Sequence, residues 1–283
     1  MWAAITVGRL RTDVFAHGVY SIWEAIHRAG VVYAYLREDG AGAIRRSSLY
    51  DALDRSEKVA ASYYIGMAMA KVVAARLAVP WLMHVDRYYH ALGIAFVGRM
   101  RPDLVGPDRH RRWLVAEAKG RTGGQDRAAL LKMQSQKRSI RRVGNARPHI
   151  AIGSLAYFED DALSIRVIDP EEDEPYPVDY PFDVDRFFWA YYQPFVQWFT
   201  GPGSEPTIAQ GQVTVRLPEV DAKVSIGREL LALAQRPLRN SEGIAPAIMS
   251  VISPTEDAAN EFGDGLVVEL GDAWEPAFRL DRA

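Results

Sequence analysis

Residues 101–119 have the sequence RPDLVGPDRHRRWLVAEAK, and the fold prediction starts from the two segments at its ends. Its two ends, 101–106 and 113–119, are short apolar segments separated by the charged turn GPDRHRR. Short apolar runs bounded by turn residues are typical of β-strands. We therefore predict two strands here, and the short connection lets them lie antiparallel to each other.

Charged side chains emerge from the second of these strands. Side chains alternate along a strand, so Glu117 and Lys119 share the face of Trp113. An unpaired charge at the end of an apolar strand is costly, so a metal ion or a substrate is expected as its partner. Antiparallel pairing can bring Asp103 beside Glu117. The sequence therefore predicts that two carboxylates and a lysine converge at one strand end.

The elements around this pair of strands predict an α/β core with a mixed sheet. Asp54 followed by Glu57 has the capping-box pattern, which predicts the start of a helix that runs to about Ala78. Helical spacing and apolar runs predict the remaining elements. The predicted helices are 13–29 and 126–143, and the other predicted strands are 31–36, 88–97, 149–158, 163–169, 211–217 and 265–270.

Prolines and aromatic residues mark the domain organisation. Four prolines among acidic residues between Pro170 and Pro181 predict a linker, and a run of eight aromatic residues follows within 187–199. Their helical spacing favours a core or a subunit interface over a base-stacking surface. The predicted units are an N-terminal helical extension (1–53), a core (54–170), an acidic proline-rich linker (171–182) and a C-terminal α/β accessory domain (183–283).

The composition excludes several classes of site. The chain has 283 residues, of which 48% are hydrophobic and 25% charged, as in ordinary globular proteins. It contains no cysteine, which excludes disulfides, thiolate zinc sites, iron–sulfur clusters and a cysteine nucleophile. We expect a cytoplasmic protein, because the N-terminus lacks the pattern of a signal peptide and the absence of cysteine fits a reducing compartment. We expect no membrane partner, because the most apolar segment, 59–79, is interrupted by charges too early to span a bilayer.

Charge is distributed unevenly along the chain. The net charge is −2, but residues 99–147 hold fourteen Arg or Lys against four acids, a balance of +10. Residues 159–185 hold eleven acids against one Arg, a balance of −10. We call these segments the basic block and the acidic block. The basic block predicts attraction to a polyanion such as nucleic acid, and the alternative is that the two blocks pair with each other across the fold.

At Pro102–Asp103 and Glu117–Ala118–Lys119 the chain resembles the PD-(D/E)xK, or restriction-endonuclease-like, nuclease superfamily over roughly residues 54–169. The resemblance implies a restriction-endonuclease-like core and a Mg²⁺- or Mn²⁺-dependent endonuclease that cleaves DNA without a covalent intermediate. Asp103 and Glu117 would hold the metal, with the backbone carbonyl of Ala118 as a further ligand. Lys119 would act on the attacking water.

The same resemblance extends to residues outside the motif. Gln136 falls on the apolar stripe of the predicted helix 126–143, and it would either reach the active site or make a core hydrogen bond. Glu57 would be an additional acid or simply part of the helix cap. The predicted phosphate contacts are Lys132, Lys137, Arg138, Arg141 and Arg142 on this helix, together with Arg121.

Two further groups of residues are predicted to be structural. Pro107–Asp108 repeats the Pro-Asp pair but lies in the turn, where Asp108 would point to solvent. His84, Asp86 and His90 would share a face if extended, and they are better explained as polar strand-edge residues than as metal ligands.

A defence, restriction or repair role in bacteria is what the resemblance implies, with DNA as the principal partner. The protein partners it implies are a second copy of the chain or the other subunits of a defence complex. The alternative function is a catalytically inactive nucleic-acid-binding or assembly subunit with the same fold. A third hypothesis is a structural protein whose basic and acidic blocks dock between copies.

Overall fold

The chain is an α/β protein built around a mixed seven-stranded sheet that is flanked by helices. A second, antiparallel sheet of four strands lies in the C-terminal part. The computed structural model describes residues 2–7, 19–85, 102–124, 131, 140–143, 148–168, 178–180, 183–201, 205–218, 221–252 and 263–272.

The described residues form the following helices and strands, each kind numbered in chain order. The helices are α1 (Trp2–Thr6), α2 (Val19–Tyr35), α3 (Ser48–Ala52), α4 (Arg55–Arg76), α5 (Val184–Thr200), α6 (Arg228–Ala234) and α7 (Ile244–Val251). The strands are β1 (Leu36–Glu38), β2 (Ile44–Arg46), β3 (Met83–His84), β4 (Leu104–Pro107), β5 (Trp113–Gly120), β6 (Ile140–Val143), β7 (Ile150–Glu159), β8 (Ala162–Ile168), β9 (Val178–Tyr180), β10 (Thr207–Ala209), β11 (Gln212–Leu217), β12 (Ala222–Gly227) and β13 (Leu266–Leu270).

The seven-stranded sheet has the order β1-β2-β8-β7-β5-β4-β3, with β5 near its middle. The strand β4 pairs antiparallel with β5, and β5 pairs parallel with β7. The antiparallel hairpin and the parallel neighbour make the sheet mixed, as predicted. The strands expected within 101–106, 113–119, 149–158 and 163–169 are confirmed with shifts of a few residues at their ends.

The helix α4 packs on one face of the central strands. Asp54 and Glu57 form the predicted capping box, in which the Asp54 carboxylate accepts the Glu57 N–H and the Glu57 carboxylate accepts the Asp54 N–H. Further along, small and apolar residues of α4 pack against β5. The cluster on this face includes Met67, Ala70, Ala74, Leu114, Ala116 and Ala118.

Two glycines allow α4 and β5 to approach closely. A Cβ atom built on Gly120 would lie 1.7 Å from the carbonyl oxygen of Ser62, and one built on Gly66 would lie 2.6 Å from the Gly120 nitrogen. No side chain fits in these spaces, because both neighbours are backbone atoms. The approach therefore sets the position of the end of β5, which carries Glu117 and Lys119.

Two predicted elements are wrong in part. The segment predicted as strand 31–36 continues α2 through Gly30 to Tyr35, and Val31 is buried in a cluster with Ile65 of α4. Tertiary packing of a helical apolar face overrides the strand preference of its valines and tyrosines. The predicted helix 126–143 is wrong at its C-terminal end, because Ile140–Val143 is a strand that pairs in parallel with β9. The strand predicted at 88–97 lies outside the described residues.

One continuous hydrophobic cluster joins the large sheet to the C-terminal part. It contains Val105 and Val115 of the large sheet, the aromatic residues of α5, and the inward-facing residues of the four-stranded sheet. The prediction that the aromatic run belongs to a core is confirmed, since Phe187, Phe188 and Tyr192 are fully buried. The linker boundaries at 171–182 stay a prediction, because most of that segment lies outside the described residues.

A buried polar cluster crosses this hydrophobic core. The carboxylate of Asp264 accepts hydrogen bonds from Trp2 Nε1 at 3.1 Å, from the Tyr191 hydroxyl at 2.7 Å and from the Leu266 backbone N–H at 3.1 Å. Lys71 Nζ donates to the same Tyr191 hydroxyl at 2.8 Å. Burial lowers the pKa of Lys71 to about 7, although the negative charge of Asp264 opposes this shift. The cluster connects α1, α4 and α5 to the start of β13.

None of the helices in the described part of the chain combines the length and the apolar character needed to cross a lipid bilayer.

We predict that Gly120→Ala lowers the free energy of unfolding by at least about 2 kcal/mol, because the new Cβ would overlap the Ser62 carbonyl. Urea unfolding measures the change. Gly123→Ala is the matched control, since no atom lies within 4 Å of the corresponding position. Equal stability of the two variants would contradict the close approach of α4 and β5.

We predict that Lys71→Met lowers the free energy of unfolding by about 3–5 kcal/mol at pH 6, because it leaves the buried Asp264 carboxylate without a cation. The double variant Lys71→Met, Asp264→Asn leaves no buried charge in this cluster and should lose less than the two single variants together. A double-mutant cycle from urea unfolding measures the coupling. Strictly additive losses would show that the two groups do not interact.

Candidate active site

The ends of β4 and β5 bring the predicted acids and lysine together. Leu104 pairs with Ala116, so the antiparallel register continues to Asp103 opposite Glu117. Lys119 forms an ion pair with Glu117, and its Nζ lies 3.9 Å from Asp103 Oδ2. The predicted convergence of two carboxylates and one lysine is therefore present.

Asp103 is held in place by its neighbours in the sheet. Its carbonyl oxygen accepts a hydrogen bond of 3.0 Å from the Val85 N–H, which extends the β3–β4 pairing by one residue. Its side-chain Oδ2 accepts the Ala118 N–H at 2.9 Å. These contacts on both sides orient the carboxylate toward β5.

Glu117 is a buried acid with spare hydrogen-bonding capacity. Its side chain has no exposed surface, and among the described residues its Oε2 atom has no hydrogen-bond partner. Burial and, after it, the nearby Asp103 carboxylate raise the pKa of Glu117 to about 7, although the Lys119 ammonium opposes the shift. A buried carboxylate oxygen without a partner is costly, so this position favours a bound cation or donor.

The site is accessible from solvent through its other two members. About a quarter of the side-chain surface of Asp103 (27%) and of Lys119 (25%) is exposed. A ligand can therefore reach the ammonium and one carboxylate directly, while Glu117 forms the buried floor. Within the described residues, no group of three or more His, Asp or Glu side chains lies close enough together to hold a metal ion.

Ser154 of β7 was not predicted as part of this region. It pairs with Ala118 in the parallel register of β5 and β7, one residue from the pairing of Glu117 with Gly153. Its side chain is fully buried, and its Oγ has no hydrogen-bond partner among the described residues. The sequence contained a signal, because Gly153 and Ser154 interrupt the apolar run of β7. By alternation Ser154 lies on the α4 face, opposite to the face of Glu117.

Residues predicted as additional acids or metal ligands have other surroundings. Glu57 is exposed and forms the helix cap described above, which confirms the capping explanation. His84 is buried in β3, while Asp86 and His90 lie outside the described residues.

The prediction that Asp108 points to solvent is wrong. Asp108 is buried and accepts hydrogen bonds from the Arg112 backbone N–H at 2.8 Å and from Arg112 Nε at 2.7 Å. A tight turn leaves backbone donors without strand partners, and this carboxylate satisfies one of them. Asp108 therefore holds the turn that pairs β4 with β5.

Three of the six predicted phosphate contacts lie in the described part of the chain. Arg121 follows β5 directly, is half-buried, and its backbone N–H donates to the Ala156 carbonyl at 2.8 Å. Arg141 and Arg142 lie on the strand β6 rather than on the predicted helix. The remaining predicted residues, Gln136, Lys132, Lys137 and Arg138, lie outside the described residues.

No protein-family model, curated protein or solved structure matched the chain when it was compared with each of these sets.

We predict that Glu117 makes stability depend on pH. Its pKa of about 7 lies above the ordinary value of 4.5, so the folded protein binds an extra proton between these pH values. The stability that this proton contributes is complete below pH 4.5 and is lost as the pH rises through 7. Relative to Glu117→Gln, we expect the wild type to lose on the order of 3 kcal/mol over this window.

Denaturant unfolding between pH 4 and pH 8 tests this expectation. Glu159→Gln removes an exposed carboxylate at the end of β7 and serves as the control, with a curve parallel to the wild type. A Glu117→Gln curve that is also parallel to the wild type would contradict the raised pKa.

Proposed function

We propose that the chain is a Mg²⁺- or Mn²⁺-dependent nuclease that hydrolyses phosphodiester bonds of DNA. The observation that carries the proposal is the buried Glu117 carboxylate, which lies beside Lys119 and opposite Asp103 at the edge of an accessible site. Two acids and a lysine that meet in this way suit hydrolysis of a phosphodiester. The sequence resemblance to the PD-(D/E)xK superfamily assigns the same three residues to this chemistry.

The donor set fits a hard divalent cation. Mg²⁺ commonly binds proteins through one or two carboxylates and keeps several water ligands. Asp103 and Glu117 would hold it, with the Ala118 carbonyl as a further ligand, and the unpartnered Glu117 Oε2 is available for this role. When bound, the ion would polarise the phosphoryl oxygen and lower the pKa of a bound water.

The protein groups would each have a separate task. Glu117 must be ionised to bind a cation, and because its pKa in the protein alone is about 7, binding at neutral pH would displace a proton. Lys119 pairs with both acids in the protein alone. With DNA bound, its ammonium would orient the attacking water and stabilise the charge that develops on the phosphoryl oxygens.

The substrate assignment rests on charge. The basic block contains the site, and Arg121 lies two residues beyond Lys119, immediately after the end of β5. Such a density of cations favours a polyanion, and contacts to phosphates are independent of base sequence. We also propose that the core is restriction-endonuclease-like, since α4, the β4–β5 hairpin and the parallel strand β7 follow in the expected order.

We predict that Lys119→Ala and Glu117→Gln each reduce DNA cleavage by at least about 100-fold, because each removes a charge that acts on the reacting phosphate or on the cation. Cleavage of plasmid and linear DNA in Mg²⁺ measures the loss. Lys223→Ala and Glu269→Gln are matched controls in the four-stranded sheet, and both should keep full activity. Circular dichroism checks that all four variants fold.

The same cleavage assay also tests whether the activity requires a metal ion. After EDTA treatment, Mg²⁺ or Mn²⁺ should restore cleavage and Ca²⁺ should not, because Ca²⁺ accepts longer and looser coordination and positions water poorly. Undiminished cleavage in EDTA, or full activity of both site variants, would overturn the proposal. DNA binding without cleavage under any of these ions would instead favour the non-catalytic nucleic-acid-binding subunit.

A further inference from the structure

Lys119 supplies the positive charge between the two acids at the ends of β4 and β5. Its ammonium group forms an ion pair with Glu117 Oε1, and the same nitrogen lies 3.9 Å from Asp103 Oδ2. These are the two carboxylates that the proposed function assigns to a divalent cation. In the protein alone, the lysine ammonium therefore contacts the groups that would hold the ion.

The two acids keep their positions independently of this lysine. Asp103 Oδ2 accepts the Ala118 N–H at 2.9 Å, so a backbone donor of β5 orients the carboxylate. Glu117 lies within β5 between two paired strands, and its side chain has no exposed surface. The pair of carboxylates therefore remains in place if the ammonium group moves away.

Lys119 itself is free to leave the acids for solvent. A quarter of its side-chain surface (25%) is exposed, whereas the side chain of Glu117 is completely buried. A lysine carries its charge on a flexible four-carbon stem, so the ammonium can turn into water without opening a cavity in the core. The mobile member of the cluster is thus the cation, and the fixed members are the acids.

Other lysines of the described chain have different surroundings. Lys223 lies 3.8 Å from Glu269, and both side chains are about half exposed, as in an ordinary surface ion pair. Lys71 is fully buried and donates to the Tyr191 hydroxyl and to the Thr6 carbonyl. Lys119 differs from both, because it is partly exposed and contacts two acids, of which one is buried.

We propose that Lys119 is a displaceable internal cation, which neutralises Asp103 and Glu117 in the protein alone and gives up this position when a divalent ion binds. This inference rests on the cation site of the proposed function. An ammonium and a divalent ion compete for the same carboxylate oxygens, and two cations held close together repel each other. The free protein therefore binds the ion more weakly than the two acids alone would.

Removal of the ammonium should strengthen metal binding even though it impairs cleavage. We expect Lys119→Met to lower the Kd for Mn²⁺ by at least about tenfold at pH 8, because the competing positive charge is gone. Electron paramagnetic resonance of the free Mn²⁺ measures the Kd in the absence of DNA. If Lys119 only held Glu117 in position, its loss would weaken Mn²⁺ binding instead.

Three variants separate the role of charge from other effects of the substitution. Lys119→Arg keeps a positive charge and should keep the weak binding of the wild type. Lys119→Met combined with Glu117→Gln should lose the gain, because one of the two acids is then neutral. Lys223→Met removes a lysine from the exposed pair with Glu269 and should leave the Kd unchanged.

Acetylation of the wild-type protein tests the displacement directly and requires no variant to fold. We expect Mg²⁺ to raise the rate at which an N-hydroxysuccinimide ester acetylates Lys119, because an amine released from Glu117 is more accessible and loses its proton more readily. Mass spectrometry of peptides measures the rate at each lysine. Lys223 is the internal control and should react at the same rate with and without Mg²⁺.

The outcomes distinguish this inference from the nuclease proposal. An equal or higher Kd of Lys119→Met, or an acetylation rate of Lys119 that Mg²⁺ does not raise, would overturn the displacement even if the protein cleaves DNA. Absence of Mn²⁺ binding by both proteins would overturn it as well. Tighter binding by Lys119→Met and faster acetylation, without DNA cleavage by the wild type, would support the displaceable cation and exclude the nuclease function.

Discussion

The buried carboxylate of Asp264 is the constraint on which the rest of the arrangement depends. A carboxylate that loses all contact with water must be compensated by donors and a nearby cation, and here these come from distant parts of the chain. Trp2 and Tyr191 donate hydrogen bonds to this carboxylate. Lys71 is the nearby cation, and its ammonium group donates to the Tyr191 hydroxyl. One group thereby ties the N-terminal helix and α4 to the C-terminal part, and the shared core forms around it.

This fixed relation between α4 and the sheet also determines the geometry of the candidate site. The helix approaches β5 until backbone meets backbone at Gly120 and Ser62, which leaves no freedom for the strand to shift along the helix. Glu117 is then buried with an unpartnered oxygen, while Asp103 and Lys119 remain at the surface. A fold stabilised mainly by apolar contacts would gain stability from an uncharged residue at position 117. An acid there is what the proposed cation site requires.

The fold also brings together segments of the chain that carry opposite net charge. A net charge of −2 conceals two blocks of opposite sign, and the fold brings a strand from each block side by side. Within the described residues, the pairing of β6 with β9 is thus a place where segments of opposite net charge meet.

The sequence alone determined the features that depend on neighbouring residues. The capping box at Asp54, the alternation along β5 and the turn between β4 and β5 are local patterns, so they predicted α4, the hairpin and the convergence of Asp103, Glu117 and Lys119. The three chemical groups could be identified because strand pairing across a short turn leaves few possible registers.

Features that depend on distant partners arise only when the chain has folded. Val31 lies in a helix because a cluster with α4 buries it there, and Arg142 lies on a strand because β9 pairs with it. Asp108 is buried because the backbone of its own turn requires an acceptor, and the partnership of Lys71 with Asp264 joins residues far apart in the chain. Local periodicity does not encode these outcomes, since the free energy of burying a side chain depends on which surfaces meet after the chain has folded.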